Sequence, residues 1–210
     1  MVPLKQDRQS ADAGNGSRRD ETTKILISTI GRPRVGARTA KKTSDRKTYP
    51  MAHESYSPAE ILRLVDNSDE RHFVAELETG IVTLSRNRQY FKGYCFFSAK
   101  RKARELHDLP IEIRAKHLLE MAMVAEAVQL AFGAKKMNVA FFGNSFAHVH
   151  WNIVPRYGTD PLPEDSIWTL DRKLIESHFL PEQKFSEVKA TLREVLSKLS
   201  ERDRIPICVS

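Results

Sequence analysis

Two histidines, His148 and His150, stand two positions apart in the run Asn144 to Tyr157, NSFAHVHWNIVPRY. Imidazole is the side chain whose charge changes near neutral pH, and in its neutral form it is a good nucleophile when the far ring nitrogen is held as a donor. On a strand, alternate side chains share a face, so His148, His150 and Asn152 point one way while Val149, Trp151 and Ile153 point the other. Such a stripe collects a nucleophile and hydrogen-bond donors on one surface of an otherwise apolar strand. A metal would need a third ligand, and no nearby Cys or second His-x-His supplies one, so the reading is no metal and no cofactor. His53, His72, His107 and His178 have no partners at ligand spacing, and His117 reads as a packed or surface residue. Trp151 reads as packing or an interface anchor.

The elements that must position this stripe can be read on either side of it. Ser57-Pro58-Ala59-Glu60 has the spacing of a capping box and opens a short helix through Ile61, Leu62 and Val65. His72–Leu77 and Ile81–Ser85 are β-rich runs joined across Glu78-Thr79-Gly80, which predicts a hairpin. Tyr94–Ala99, YCFFSA, is nearly all apolar and reads as a central strand covered on both faces, with Cys95 in the core. Pro110 opens a long helix with Ile113, His117, Met121, Val124, Val128 and Phe132 along one side and Gly133 as its C-terminal stop. Met137–Phe142 and Ala147–Val154 are strands, and a last helix covers roughly Phe185–Leu199. Strands and helices do not alternate strictly, so the fold class is α+β with an antiparallel sheet. No internal repeat and no Gly-rich phosphate loop is present.

The chain has 210 residues and no apolar run long enough to span a bilayer. Two cysteines, Cys95 and Cys208, are too few for a disulfide framework, which gives a reduced, cytoplasmic protein as the expectation. The formal charge of +7 is not spread over the fold, because residues 1–50 hold 12 Lys and Arg against 5 Asp and Glu and so account for all of it. That segment reads as a disordered basic tail or an upstream start ahead of Met51. Nucleic acid would meet it only weakly, through salt-sensitive contacts. The expected organisation is therefore 1–50 as tail, 51–180 as the folded domain and 181–210 as a C-terminal helix and tail.

The run His148-Val149-His150-Trp151-Asn152-Ile153-Val154-Pro155-Arg156 resembles the histidine triad (HIT) superfamily of nucleotide hydrolases and nucleotidyl transferases, with Asn152 in place of the third histidine. Gly143-Asn144-Ser145 stands where that family has its Gly-Gln-Ser/Thr element, Asn138 lies on the preceding strand, and Gly93 with YCFF and Leu106-His107-Asp108-Leu109 follows the family's order. Asp160-Pro161 and Trp168 look like the bacterial diadenosine-polyphosphate hydrolase branch. The resemblance implies a five-stranded antiparallel sheet with a long helix on it, and a homodimer joined through sheet edges. It implies a nucleotide substrate cleaved at a phosphoanhydride or phosphoramidate, with His150 as nucleophile and His148, Asn152, Asn144 and Ser145 as donors. Asn138, Asn87 and Lys102 are further candidates for substrate or phosphate binding, with Arg86-Asn87 and Phe91 toward the ribose and base.

An amide at position 152 can donate a hydrogen bond but cannot carry a proton at pH 7. That leaves a second reading open: a nucleotide-binding or sensing protein that keeps the pocket with little catalysis. A third is nucleic-acid binding through the basic tail. Lys100-Arg101-Lys102 could bind polyphosphate or be a solvated basic turn.

Overall fold

The computed structural model describes residues 55–66 and 69–209. The expectation for residues 1–50, and His53, lie outside the described residues. Among these residues four α-helices, α1 (Pro58–Asp66), α2 (Ile111–Phe132), α3 (Arg172–Glu176) and α4 (Glu182–Asp203), accompany six strands. The strands are β1 (Phe73–Leu77), β2 (Gly80–Leu84), β3 (Cys95–Ala99), β4 (Lys136–Ala140), β5 (His150–Arg156) and β6 (Ile207–Cys208). They form one sheet in the order β4-β5-β3-β2-β1-β6, every pairing antiparallel. The α+β architecture agrees with expectation, but the sheet has six strands where five were expected. The addition is β6, two residues that pair with Glu76 and Leu77 of β1 and are too short to show a period of two in sequence.

The local signals that predicted elements are seen at work. Ser57 and Glu60 exchange the hydrogen bonds of a capping box at the start of α1. α2 runs from Pro110 as N-cap to Gly133, whose φ of 66° turns the chain out of the helix. Gly80 is needed for a different reason. A Cβ there would lie 2.3 Å from the Phe97 ring, so the hairpin and the central strand can approach only where residue 80 has no side chain.

One face of the sheet is sealed by α2 and α4. Val82, Leu84, Cys95, Phe97 and Ile153 meet Met123, Val124 and Val128 of α2 and Phe185, Val188, Leu192 and Leu196 of α4. The last helix therefore packs on the domain itself, and it starts earlier and ends later than expected. Burial raises the pKa of the Cys95 thiol well above its ordinary value, so it is inert core. The other face carries a smaller apolar cluster, Phe91, Tyr94, Phe96, Val154, Ile167 and Ile175, at one end. The polar stripe of β5 begins where that cluster stops.

β5 starts at His150, three residues later than the sequence suggested, and runs on through Arg156. The reason is local. The His148 amide turns back to the Phe146 carbonyl at 2.9 Å, and the Val149 amide bonds Ala103 O at 2.9 Å, outside the ladder that begins at Ser98 and His150.

Candidate active site

His150 opens β5 opposite Ser98, and Asn152 lies opposite Phe96, so both project from the face opposite α2 and α4. Nδ1 of His150 lies 2.8 Å from the carbonyl of His148, an oxygen that can only accept. Nδ1 therefore carries the proton, and the lone pair is on Nε2, which takes no hydrogen bond among the described residues. The ring is partly exposed, with Phe146 and Phe96 at centroid distances of 5.9 and 6.4 Å. Burial lowers the pKa of His150, the bond to His148 O opposes this, and the charge of Arg88 lowers it further. The ring therefore stays neutral to a lower pH than an ordinary histidine.

His148 is buried, and its two ring nitrogens lie 3.1 Å from Ala103 O and 2.7 Å from Ala99 O. A neutral ring has one N–H, which the shorter contact assigns to Nε2. Burial lowers its pKa more than the two carbonyls raise it. His148 thus clamps the 99–103 loop to the lead-in of β5 and orients the carbonyl that holds His150. Both of its ring nitrogens face backbone carbonyls rather than the open face.

Asn152 accepts a 2.7 Å hydrogen bond from the Tyr94 hydroxyl, and its amide points toward Ala140 O at 3.4 Å. Tyr94 was not singled out from sequence as a site residue, although the alternation Tyr94, Phe96, Ser98 on the central strand places it on this face. Arg88 was missed as well. Its guanidinium lies 5.5 Å from the Tyr94 ring centroid and 5.2 Å from that of Phe96, and it pairs with Glu176 of α3 at 3.0 Å.

The remaining sequence candidates are distributed unequally. Asn144 and Ser145 are exposed in the loop that leads to His150, turned by Gly143 at φ 69°. Phe142, two residues past the end of β4, meets Trp168 at 4.7 Å, and both residues are about half exposed. Lys102 lies over the Tyr56 ring at 4.9 Å, and the edge of Tyr56 meets His148, so this cation reaches the first-histidine end of the site. Lys100 is instead paired with Glu76 at 2.9 Å. Asn87 takes a long 3.4 Å contact from the Ser85 hydroxyl, and its carbonyl accepts from His178 N. Phe91 is fully buried and has no face for a base, contrary to expectation, because Tyr94, Ile167 and Ile175 close over it.

Asn138 is also engaged elsewhere. Its side-chain oxygen accepts from Arg156, a buried guanidinium that pairs with Asp160 at 2.9 Å and donates to the carbonyls of Leu162 and Asp165. The Pro-Arg end of the motif thus fixes the 157–166 loop. Trp151 packs from the helix side, tilted on Phe141 at 5.6 Å. Among the described residues no three His, Cys, Asp or Glu side chains stand together as a metal cage, and no helix is long and apolar enough to cross a membrane.

Residues 70–159 match the model of the HIT domain. The fold is similar to a histidine triad protein from Marinobacter aquaeolei VT8, with TM-score 0.57 and 25% identity over 69% of this chain and 98% of that one. It is also similar to a histidine triad protein from Bradyrhizobium japonicum, with TM-score 0.55 and 17% identity over 68% and 98%. A third, from Sinorhizobium meliloti 1021, gives TM-score 0.52 and 22% identity over 60% and 90%. Among curated proteins no sequence relative matches. What the comparisons show is a match to the HIT domain over residues 70–159, a segment in which His148 is clamped just ahead of β5, His150 opens the strand and Asn152 stands where the triad has its third histidine.

Proposed function

We propose that the protein is a HIT-type nucleotide hydrolase or nucleotidyl transferase that cleaves a phosphoanhydride or phosphoramidate, of the diadenosine-polyphosphate kind, through a nucleotidyl-histidine intermediate. The observation that carries this reading is the bond from His150 Nδ1 to His148 O, which leaves Nε2 with its lone pair on an open face. In the first step that lone pair attacks the α-phosphorus. A P–N bond forms, the bond to the leaving group breaks, and its electron pair departs with the leaving oxygen or nitrogen. Water then attacks the same phosphorus and the P–N bond returns its electrons to the ring, while the proton of water passes to solvent. Phosphoryl transfer depends mainly on positioning and charge, and the Asn144 and Ser145 side chains, exposed in the loop ahead of His150, are candidate donors.

Edge pairing of two copies through β4, which among the described residues pairs with β5 alone, would make a homodimer. A second reading is favoured by one observation. Asn152 is already bonded to Tyr94, so the third triad position is held in place and brings no charge, which suits a nucleotide-binding or sensing protein with little turnover.

The test is steady-state turnover of diadenosine tetraphosphate, diadenosine triphosphate and an adenosine phosphoramidate by the purified chain and by His150→Ala, with acid-quenched mass spectrometry for a nucleotidyl adduct on His150. Turnover and adduct that both vanish in His150→Ala support the enzyme. Nucleotide binding with wild-type turnover no faster than His150→Ala supports the sensing reading.

A further inference from the structure

We propose that Arg88 is an anchor for the phosphate chain at the His150 site, held by Glu176 in the free protein and handed to the polyphosphate when a nucleotide binds. The assignment deepens the function proposed above and rests on it. Arg88 lies over two aromatic rings that connect it to the site: Phe96, opposite Asn152 and 6.4 Å from the His150 ring, and Tyr94, whose hydroxyl holds Asn152. A guanidinium is charged at every pH at which the protein folds, and its planar fork matches phosphate oxygens two at a time. The amide of Asn152 brings no positive charge to this face. Arg88 supplies one from the loop beside it, and its charge also favours the neutral form of the nucleophile.

Glu176 makes the exchange feasible. Its Oε1 holds Arg88 at 3.0 Å, while its Oε2 holds Arg172 at 2.8 Å, so two guanidiniums share one carboxylate. When Arg88 turns to a phosphate, Glu176 keeps Arg172 and is not left unpaired. Hydrogen bonds to Arg172 and Arg88 already hold the carboxyl below its ordinary pKa, so Glu176 is an anion throughout the neutral range. The side chains of Arg88 and Glu176 are 20% and 26% exposed, open enough to exchange partners. The backbone on either side is pinned, with Gln89 N on His178 O and His178 N on Asn87 O, so the swap is confined to the side chain.

The experiment is calorimetric titration of the full chain, in the His150→Ala background to prevent turnover, with adenosine, AMP and ATP as probes. Arg88→Gln is expected to weaken ATP tenfold or more and adenosine less than twofold, with Arg88→Lys recovering part of the loss. Glu176→Gln is expected to tighten ATP threefold or more, because the charge of Glu176 then no longer competes with the phosphate for Arg88. With His150 intact, Arg88→Gln should move the acid limb of kcat/KM to higher pH. The groups that set that limb are Arg88 and His148 around His150, with Glu176 and Arg172 behind Arg88.

Equal weakening of adenosine and ATP would show a structural role and overturn the assignment. So would ATP affinity that is indifferent to both residues, and with His150-dependent turnover intact that result would leave the enzyme reading standing. Failure of the wild-type chain to bind or turn over any nucleotide would overturn both.

Discussion

The two faces of one sheet hold histidines built on the same plan with opposite outcomes. On the helix-covered face, His117 of α2 is fully buried, its Nδ1 lies 2.9 Å from the Thr79 hydroxyl, and its Nε2 has no partner among the described residues. On the other face, His150 also commits Nδ1 to an oxygen and leaves Nε2 with the lone pair. His117 stacks on Phe97 at 4.6 Å, which closes its ring off, and Glu120 accepts from both the amide and the hydroxyl of Thr79 below it. His–hydroxyl–carboxylate is the order of a relay, yet nothing can reach it. What separates the proposed nucleophile from a packing residue here is access to Nε2, not tautomer or partner chemistry.

The largest expected effect tests that contrast directly. His150→Ala should lower turnover about a thousandfold or more with little change in Tm, whereas His117→Phe should leave turnover within about twofold. Comparable losses from both would break the comparison. Stability should divide the other way, and with pH. Burial, aided by His148, lowers the pKa of His117 to about 4 from an ordinary 6.5. The unfolded chain therefore takes up a proton that the folded chain refuses, so this contribution is complete above pH 6.5 and is lost as pH falls toward 4. Burial raises the pKa of Glu120 and acts in the opposite sense, but it is common to wild type and variant. Urea unfolding should thus show wild type losing about 3 kcal/mol relative to His117→Phe between pH 7 and pH 4. A gap that stays constant with pH would mean that His117 is protonated in the fold. A smaller loss, about 2 kcal/mol at pH 7, is expected for Thr79→Val, which removes a donor from buried Glu120 and the partner of His117. Turnover that fell in step with stability there would tie the sealed network to the open site.

Much of the open face was legible in the sequence because strand alternation and the His-x-His run lie within a few residues of each other. The capping box at Ser57, the stop at Gly133 and the central YCFF strand were legible for the same reason. What could not be read crosses long separations or depends on burial. Tyr94 reaches Asn152 across 58 residues and Arg88 reaches Glu176 across 88, and neither pair has a spacing that marks it. Glu120 was hidden by its type, since an acid on a helix reads as solvated until a turn 41 residues away is seen to donate to it. His148 was placed on the right segment, but its surroundings could not be read. Alternation put it on the stripe, and the carbonyls of Ala99 and Ala103, which sequence does not reveal, turn its ring into a clamp.

The smallest effect sharpens the comparison most, because it asks whether the third triad position belongs to the open site or to the framework. If Asn152 acts on a substrate only as Tyr94 holds it, removing either partner removes the same interaction. Tyr94→Phe and Asn152→Ala should each lower kcat/KM, and the double variant should lose less than the sum of the two by about 1 kcal/mol, the worth of one buried hydrogen bond. Strict additivity would mean that Tyr94 and Asn152 act separately, and that the amide serves the strand as Thr79 serves His117, through packing alone. A coupling confined to kcat, with binding of AMP unchanged, would place the pair at the step where charge develops on phosphorus, the step that the sealed face has no means to serve.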